Sequence, residues 1–277
     1  MRTLGDMEVG SLVYLRVDGD YTPFRVMHHG KPSDVYDDSY LGGTILCKDY
    51  TGGYYRTNMV GDRGVSKVNY ADSYMHQVLH EDFLNKLDAA MQQQVMEIRL
   101  PYRTDTDGSP YEVATGAQGM AAKVWLPSLS EVTDVMNYAE SYGTPYVTEG
   151  ALLDYWKDAT DEKYRNWQCL DYTDDHMGWG TRTPSIYHGT SNMAPYFFRI
   201  NVYGIGYCII DDDIALWPCL VMPDTLRVDG ESHLHIAGAV PVKVSGIWEE
   251  GSVWSRVGGV WNEADAIAVK VGGVWKE

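Results

Sequence analysis

"SLVYLRVDGDYTPFRV", Ser11 to Val26, alternates apolar and polar residues on both sides of Val-Asp-Gly-Asp. Alternation with period two gives a strand one apolar face, and a turn-forming pair between two such runs joins them. The stretch predicts strand, turn, strand, so the chain begins β-rich. A helical pattern follows from Ser73 to Met91, where Met75, Val78, Leu79, Phe83, Leu87 and Met91 recur at helical spacing behind Asp72 or Ser73 as the cap. A second helix is predicted at "PSLSEVTDVM": Ser128 and Glu131 have capping-box spacing, and Val132, Val135, Met136 and Ala139 form the apolar stripe. "TDTDGSPYEVATGAQG" between them is turn-rich loop. After Asp158 the chain reads as short strands separated by long loops, as far as "IALWPCLVMPD". Strands and helices in this arrangement define an α+β class.

With 277 residues the chain has material for one large domain, or a domain and an appendage. Its net charge of −17 argues against binding a phosphate backbone, which needs clustered Lys and Arg; nucleic acid and anionic membranes are poor partners. No apolar run approaches bilayer length, and the first residues lack the charged-then-apolar pattern of a signal peptide. The expectation is a protein made in a cytoplasm, without membrane insertion. Cys47, Cys169, Cys208 and Cys219 form no Cys-x-x-Cys pair, so neither a zinc site nor a dense disulfide framework is indicated. They read as free, mostly buried thiols, with one bond, Cys208 to Cys219 across a hairpin, left open for a protein that meets an oxidising exterior.

Farther along, "NMAPYFFRINVYGIGYC", Asn192 to Cys208, raises the question of function. Period two places Tyr196, Phe198, Ile200 and Val202 on one face, which reads as core. Phe197, Arg199, Asn201 and Tyr203 share the other. Aromatic residues mixed with Arg, Asn and Gly give a recognition surface large contact area at low entropy cost. An edge strand with ordinary exposed aromatics explains the same residues equally well. The chain holds 21 Tyr but only four Phe, a skew that suits amphipathic surfaces better than a dry core.

The last part is repetitive. "RVGGVWNE" (Arg256 to Glu263) recurs as "KVGGVWKE" (Lys270 to Glu277), with a relative at "KVSGIWEE" (Lys243 to Glu250). Val-Gly-Gly-Val is a two-residue hairpin signal, since Gly supplies the positive φ that the favoured turns require. The expected division is 1–228 for the main domain and 229–277 for a small all-β hairpin appendage. Trp248, Trp254, Trp261 and Trp275 lie on too few residues to be buried within it. They are therefore expected to be covered by the main domain or, in the preferred reading, by another subunit.

The ordered segments "EVGSLVYLRVDGDYTPFRVMHHGKPSDVYDDSYLGGTILCKD", "DSYMHQVLHEDFLNKLD", "IRLPY", "KVWLPSLSEV", "EGALLDYW", "WGTRTPS" and "LWPCLVMPD" resemble an uncharacterised domain family common in gut bacteria and their phages. The resemblance covers about residues 2–228 and rests on the order of the motifs. That family is similar in turn to the C-type-lectin-like fold of formylglycine-generating enzymes and of the variable proteins of diversity-generating retroelements. In those variable proteins the segment between two closing motifs, Trp-Leu-Arg-Ser-Pro-like and Arg-Pro-Ala-Leu-like, forms the ligand-binding face. The corresponding segment here is Ser185 to Leu216. The resemblance thus implies ligand contacts by Tyr187, His188, Asn192, Phe197, Arg199, Asn201, Tyr203, Tyr207 and Asp211. Two positions depart from the pattern: Trp179-Gly180-Thr181-Arg182-Thr183-Pro184 lacks the Leu, and Trp217 stands in place of the closing Arg. The Val-Gly-Gly-Val-Trp repeats are similar to C-terminal repeats on phage tail proteins.

Other chemistry is thinly supported. His76, His80 and Glu81 share a helical turn, but no third metal ligand is visible, and Asp174, Asp175 and Asp211 to Asp213 lack calcium-lectin signatures. There is no Gly-x-Ser-x-Gly, no His-Glu-x-x-His and no phosphate loop, and Cys208 and Cys219 are not at the spacing of the copper-binding pair in formylglycine-generating enzymes. The resulting expectation is a C-type-lectin-like domain with a β-hairpin tail, neither an enzyme nor dependent on a metal or cofactor. It is expected in the virion, as a tail-associated phage protein and homo-oligomer that binds a host cell-surface protein or glycan and other virion subunits. The rival is a structural tail, neck or capsid decoration protein whose aromatic face packs on another subunit.

Overall fold

A computed structural model describes residues 2–52, 55–58, 69–104, 112–133, 148–159, 179–185, 196–201, 204–209, 213–236, 239–244, 247–252, 254–257, 260–263, 269–271 and 274–276; at 55–58, 179, 184–215 and beyond 238 the description is of the backbone. The architecture is α+β. Two five-stranded sheets use β1 (Leu12–Val17), β2 (Asp20–His29), β3 (Gly43–Lys48), β4 (Tyr55–Asn58), β5 (Val124–Trp125), β6 (Trp179–Ser185), β7 (Tyr196–Asn201), β8 (Gly204–Ile209), β9 (Asp213–Leu216) and β10 (Cys219–Pro223). One is antiparallel throughout, in the order β5-β10-β3-β2-β1. The other runs β8-β7-β6-β9-β4, with β6 and β9 parallel.

The β1–β2 hairpin forms as its sequence dictates. Val13, Leu15 and Val17 are buried, and the residues between them are only partly so. Asp18 and Gly19 make the two-residue turn, with φ of 53° and 86°. Positive φ at both central residues is what a type I′ turn demands and what Asp-Gly tolerates. In β2 an extra residue between Val26 and His28 shifts the register, so Val26, Met27 and His28 are buried in succession. Strand β3 is buried along its whole length between β2 and β10. Gly43 is required there, because a Cβ would stand 2.4 Å from Val221 and 2.7 Å from the Met96 sulfur.

The single helix expected over 73–91 is corrected to two, joined by an extended residue. Ser73 caps the first, its hydroxyl accepting the His76 N–H at 3.2 Å. Tyr74–Val78 is α-helical, Leu79–Phe83 is a π turn, and Leu84–Lys86 closes the segment. The apolar residues explain the π turn. Met75, Leu79, Phe83, Leu87 and Met91 are spaced by four, and each such step overshoots one α-helical turn by about 40°. A wider turn absorbs part of that drift, and all five side chains are buried. At Leu87 the backbone becomes extended and bridges Val17, and the Asp88 N–H reaches the Arg16 carbonyl at 3.4 Å. The second helix, Ala89–Gln94, starts beyond this contact.

The Ser128–Glu131 capping box forms as expected, on the short helix Leu129–Val132. Val135, Met136 and Ala139 lie outside the described residues. The expected division at 228/229 falls inside a small sheet: Arg227–Val228 pairs with Arg2–Thr3 on one side and Leu234–His235 on the other. Leu234 is buried and Ile236 packs against the core. After this come three hairpins, Ala239–Val244 with Ile247–Ser252, Trp254–Val257 with Val260–Glu263, and Val269–Val271 with Val274–Lys276. Each makes its own two-stranded sheet among the described residues. The register sets a Trp directly opposite a cation in all three: Trp248 opposite Lys243, Trp261 opposite Arg256 and Trp275 opposite Lys270.

Candidate binding face

Strand β7 lies between β6 and the edge strand β8. Directly opposed residues of antiparallel strands share a face, so the register assigns both faces. On one, Phe197 stands between Pro184 and Cys208, Arg199 between Gly180 and Gly206, and Asn201 beside Gly204. On the other, Tyr196 stands between Ser185 and Ile209, Phe198 beside Tyr207, and Ile200 between Trp179 and Ile205. By register Phe197, Arg199 and Asn201 share one face of β7, while Tyr207 falls on the opposite face beside Phe198. No Cβ flanks Arg199 on either neighbouring strand. Gly180 is itself buried. Tyr187, His188, Asn192, Tyr203 and Asp211 lie outside the described residues.

The sheet is tied to the core through β6, where Thr181, Arg182 and Thr183 are buried. Arg182 Nη1 donates to Glu131 Oε2 at 2.5 Å and to the Leu126 carbonyl at 3.0 Å. Its Nη2 donates to Glu131 Oε1 at 2.9 Å and to the carbonyls of Glu149 at 2.7 Å and Pro101 at 3.3 Å. Glu131 is the acidic member of the capping box, and it also accepts the Tyr36 hydroxyl at 2.6 Å. Burial works against the Arg182 charge, but the Glu131 carboxylate outweighs it and raises the guanidinium's pKa. Burial, then Glu131, pushes the Tyr36 phenol well above its ordinary value. Glu149 is raised by burial, with Arg182 pulling the other way. Fully desolvated and paired, Arg182 is a positioning residue for β6. Trp217 is also buried, with Lys48 Nζ 5.9 Å from its ring; burial lowers the Lys48 pKa to about 8.

A second polar cluster was not singled out from sequence. At the β1–β2 hairpin the Tyr21 ring, 39% exposed, stacks on His233 at 3.8 Å, with the Arg16 guanidinium 5.2 Å from its centroid and Tyr14 edge-on to His233 at 5.7 Å. Asp229 Oδ2 contacts His235 Nε2 at 2.9 Å and His233 Nδ1 at 3.2 Å. Partial burial disfavours the Asp229 charge, but the bond from His235 and the backbone N–H groups of His233 and Glu231 hold the carboxyl well below its ordinary range. The pairing depends on a contact across more than 200 residues, which no local pattern announces.

His76 and His80 do approach, with ring centroids 4.5 Å apart, but His80 Nε2 accepts the Lys123 N–H at 3.2 Å. Among the described residues no group of three or more His, Cys, Asp or Glu side chains could hold a metal ion. Of the acidic residues considered for calcium, only Asp213 is described, at the start of β9 opposite Asn58. No helix among the described residues is long and apolar enough to cross a membrane.

An α+β domain with a glycine-flanked strand face, braced by a buried Arg–Glu pair, is the class that fold and site define. The model of a domain of unknown function, DUF6273, matches residues 42–215, and the chain belongs to that family. The matched stretch runs from the start of β3 to β9 and includes Arg182, Glu131, Glu149 and the candidate face, with Tyr36 lying before it. No curated protein and no solved structure matches the chain.

Proposed function

We propose that this chain is a tail-associated phage virion protein whose C-type-lectin-like domain binds a host-surface protein or glycan through the Phe197–Arg199–Asn201 face. The observation that carries the reading is the row Gly180–Arg199–Gly206. A guanidinium position between two glycines leaves room for a ligand to approach the backbone and for bidentate hydrogen bonding. The resemblance to retroelement variable proteins supplies the ligand-binding role, and the similarity of the hairpin repeats to phage tail termini supplies the virion. The protein acts by binding rather than catalysis and needs no cofactor. Its tail, carrying Trp248, Trp254, Trp261 and Trp275, joins it to other virion subunits or to further copies of itself.

Binding of the full-length chain to intact gut-bacterial cells and to an array of bacterial surface glycans tests this. Arg199→Ala and Gly206→Val, which places a branched side chain beside Arg199, should each weaken binding roughly tenfold or more at unchanged unfolding temperature. Full binding by both variants removes the face from consideration. A parent protein that binds no cell and no glycan favours the rival, an aromatic face packed on another virion subunit.

A further inference from the structure

Cys47 on β3 and Cys219 on β10 are direct register partners, both buried and both free thiols. The hairpin pairing of Cys208 with Cys219 is corrected here. Cys208 lies on β8 opposite Phe197, in the other sheet. The hydrogen bonds reveal what kind of pair Cys47 and Cys219 make. The Lys48 N–H donates to the Pro218 carbonyl at 2.9 Å, and the Asp224 N–H to the Gly42 carbonyl at 2.9 Å. Antiparallel partners alternate between bonded and non-bonded pairs. Both bonds fix the same alternation, and it makes Cys47–Cys219 a non-hydrogen-bonded pair. Such partners have Cα atoms about 4.5 Å apart, within the span of roughly 4.4–6.8 Å that a disulfide bridges. The two sulfurs also share one acceptor, lying 3.3 Å and 3.8 Å from the Trp217 carbonyl oxygen.

We propose that Cys47 and Cys219 are a cross-strand dithiol that forms a disulfide when the protein leaves a reducing compartment. A small-molecule disulfide or a disulfide oxidoreductase is the oxidant. One cysteine thiolate attacks the oxidant's sulfur, giving a mixed disulfide and releasing one thiol. The second cysteine then attacks the first, closing Cys47–Cys219 and releasing the other thiol. Two electrons pass to the oxidant's sulfur–sulfur bond, and the two cysteine protons end on the released thiols. Burial raises the Cys219 thiol well above its ordinary value, so the folded dithiol reacts slowly and the bond closes chiefly as the sheet assembles. The bond ties together two neighbouring strands of the core sheet, and the loop it closes takes in nearly all of the family domain.

The full-length chain is refolded from denaturant in a buffer of reduced and oxidised glutathione, alkylated, digested and mapped by mass. The expected product is a linked pair of peptides carrying Cys47 and Cys219, together with an unfolding temperature on the order of 10 °C above that of the reduced chain. Cys169→Ser/Cys208→Ser should give the same link, since it leaves only this pair. Recovery of Cys47 and Cys219 as alkylated thiols overturns the proposal. So does a link from either residue to Cys169 or Cys208, or a Cys47–Cys219 bond that lowers the unfolding temperature.

Discussion

The two terminal nitrogens of Arg182 donate to a pocket that presents the two Glu131 oxygens and the carbonyls of Leu126, Glu149 and Pro101, while the buried Nε has no hydrogen-bond partner among the described residues. Removing one partner of a buried pair strands the other charge, at a cost of about 3–5 kcal/mol. Arg182→Met should therefore destabilise the fold by that amount in urea unfolding, and Arg182→Lys by less, because an ammonium keeps a cation beside Glu131 but cannot span the same acceptors. Arg182→Met combined with Glu131→Leu should recover part of the loss; a double variant as unstable as the sum of the singles would show that the pair is not coupled. Sequence marked Arg182 as part of a motif, but its partners are brought together only by folding. His76 makes a second residue-scale prediction. Burial first, then His80, lowers its pKa from 6.5 to about 4. As pH falls, the unfolded chain takes up the proton before the folded one. Stability is therefore full above about pH 6.5, declines between 6.5 and 4, and levels off below. His28 and His80 are lowered in the same direction, burial again the largest cause. In His76→Gln the slope of unfolding free energy against pH should be shallower across that window, and an unchanged slope would count against the assignment.

Among the elements, β7 is the sharpest test of the face assignment, since a one-residue slip would exchange its two faces. Phe198 and Ile200 lie by register beside Tyr207, Ile205 and Trp179. Phe198→Ala and Ile200→Ala should each cost about 2–5 kcal/mol, whereas Arg199→Ala should cost less than about 0.5 kcal/mol. Chemical denaturation measures all three, and the opposite ranking would mean that Arg199 lies on the core side. Much at this scale was legible in sequence. The Asp18–Gly19 turn, the Ser73 cap, the Ser128–Glu131 box and the three tail hairpins each depend on residues a few positions apart. The helix over 73–91 was not, because the extended residue at Leu87 is stabilised by its bridge to Val17 on another element.

For the whole molecule the open question is where the main domain ends. Val228 pairs with Leu234, the Asp229 side chain accepts from His233 and His235, and Leu234 is buried. A chain ending at Ile236 should keep the unfolding temperature of the main transition and lose assembly, as judged by light scattering. A chain ending at Val228 should unfold at a distinctly lower temperature, having lost Leu234 from the core. An insoluble 1–236 chain would show instead that the hairpins complete the core, and a 1–236 chain that assembles like the parent would remove the tail from that role.

What sequence determined by itself was the set of local decisions: which stretches alternate as strands, where turns and caps fall, that the chain is acidic and that its end repeats. These follow from interactions within one turn of backbone, where residue type alone decides the favoured conformation. Tertiary structure alone decided that Arg182 meets Glu131, that His233 stacks on Tyr21, that Leu87 interrupts a helix and that Cys47 faces Cys219. Each requires a particular register between elements distant in sequence. Such a register is selected by burying many side chains at once, so no short pattern encodes it.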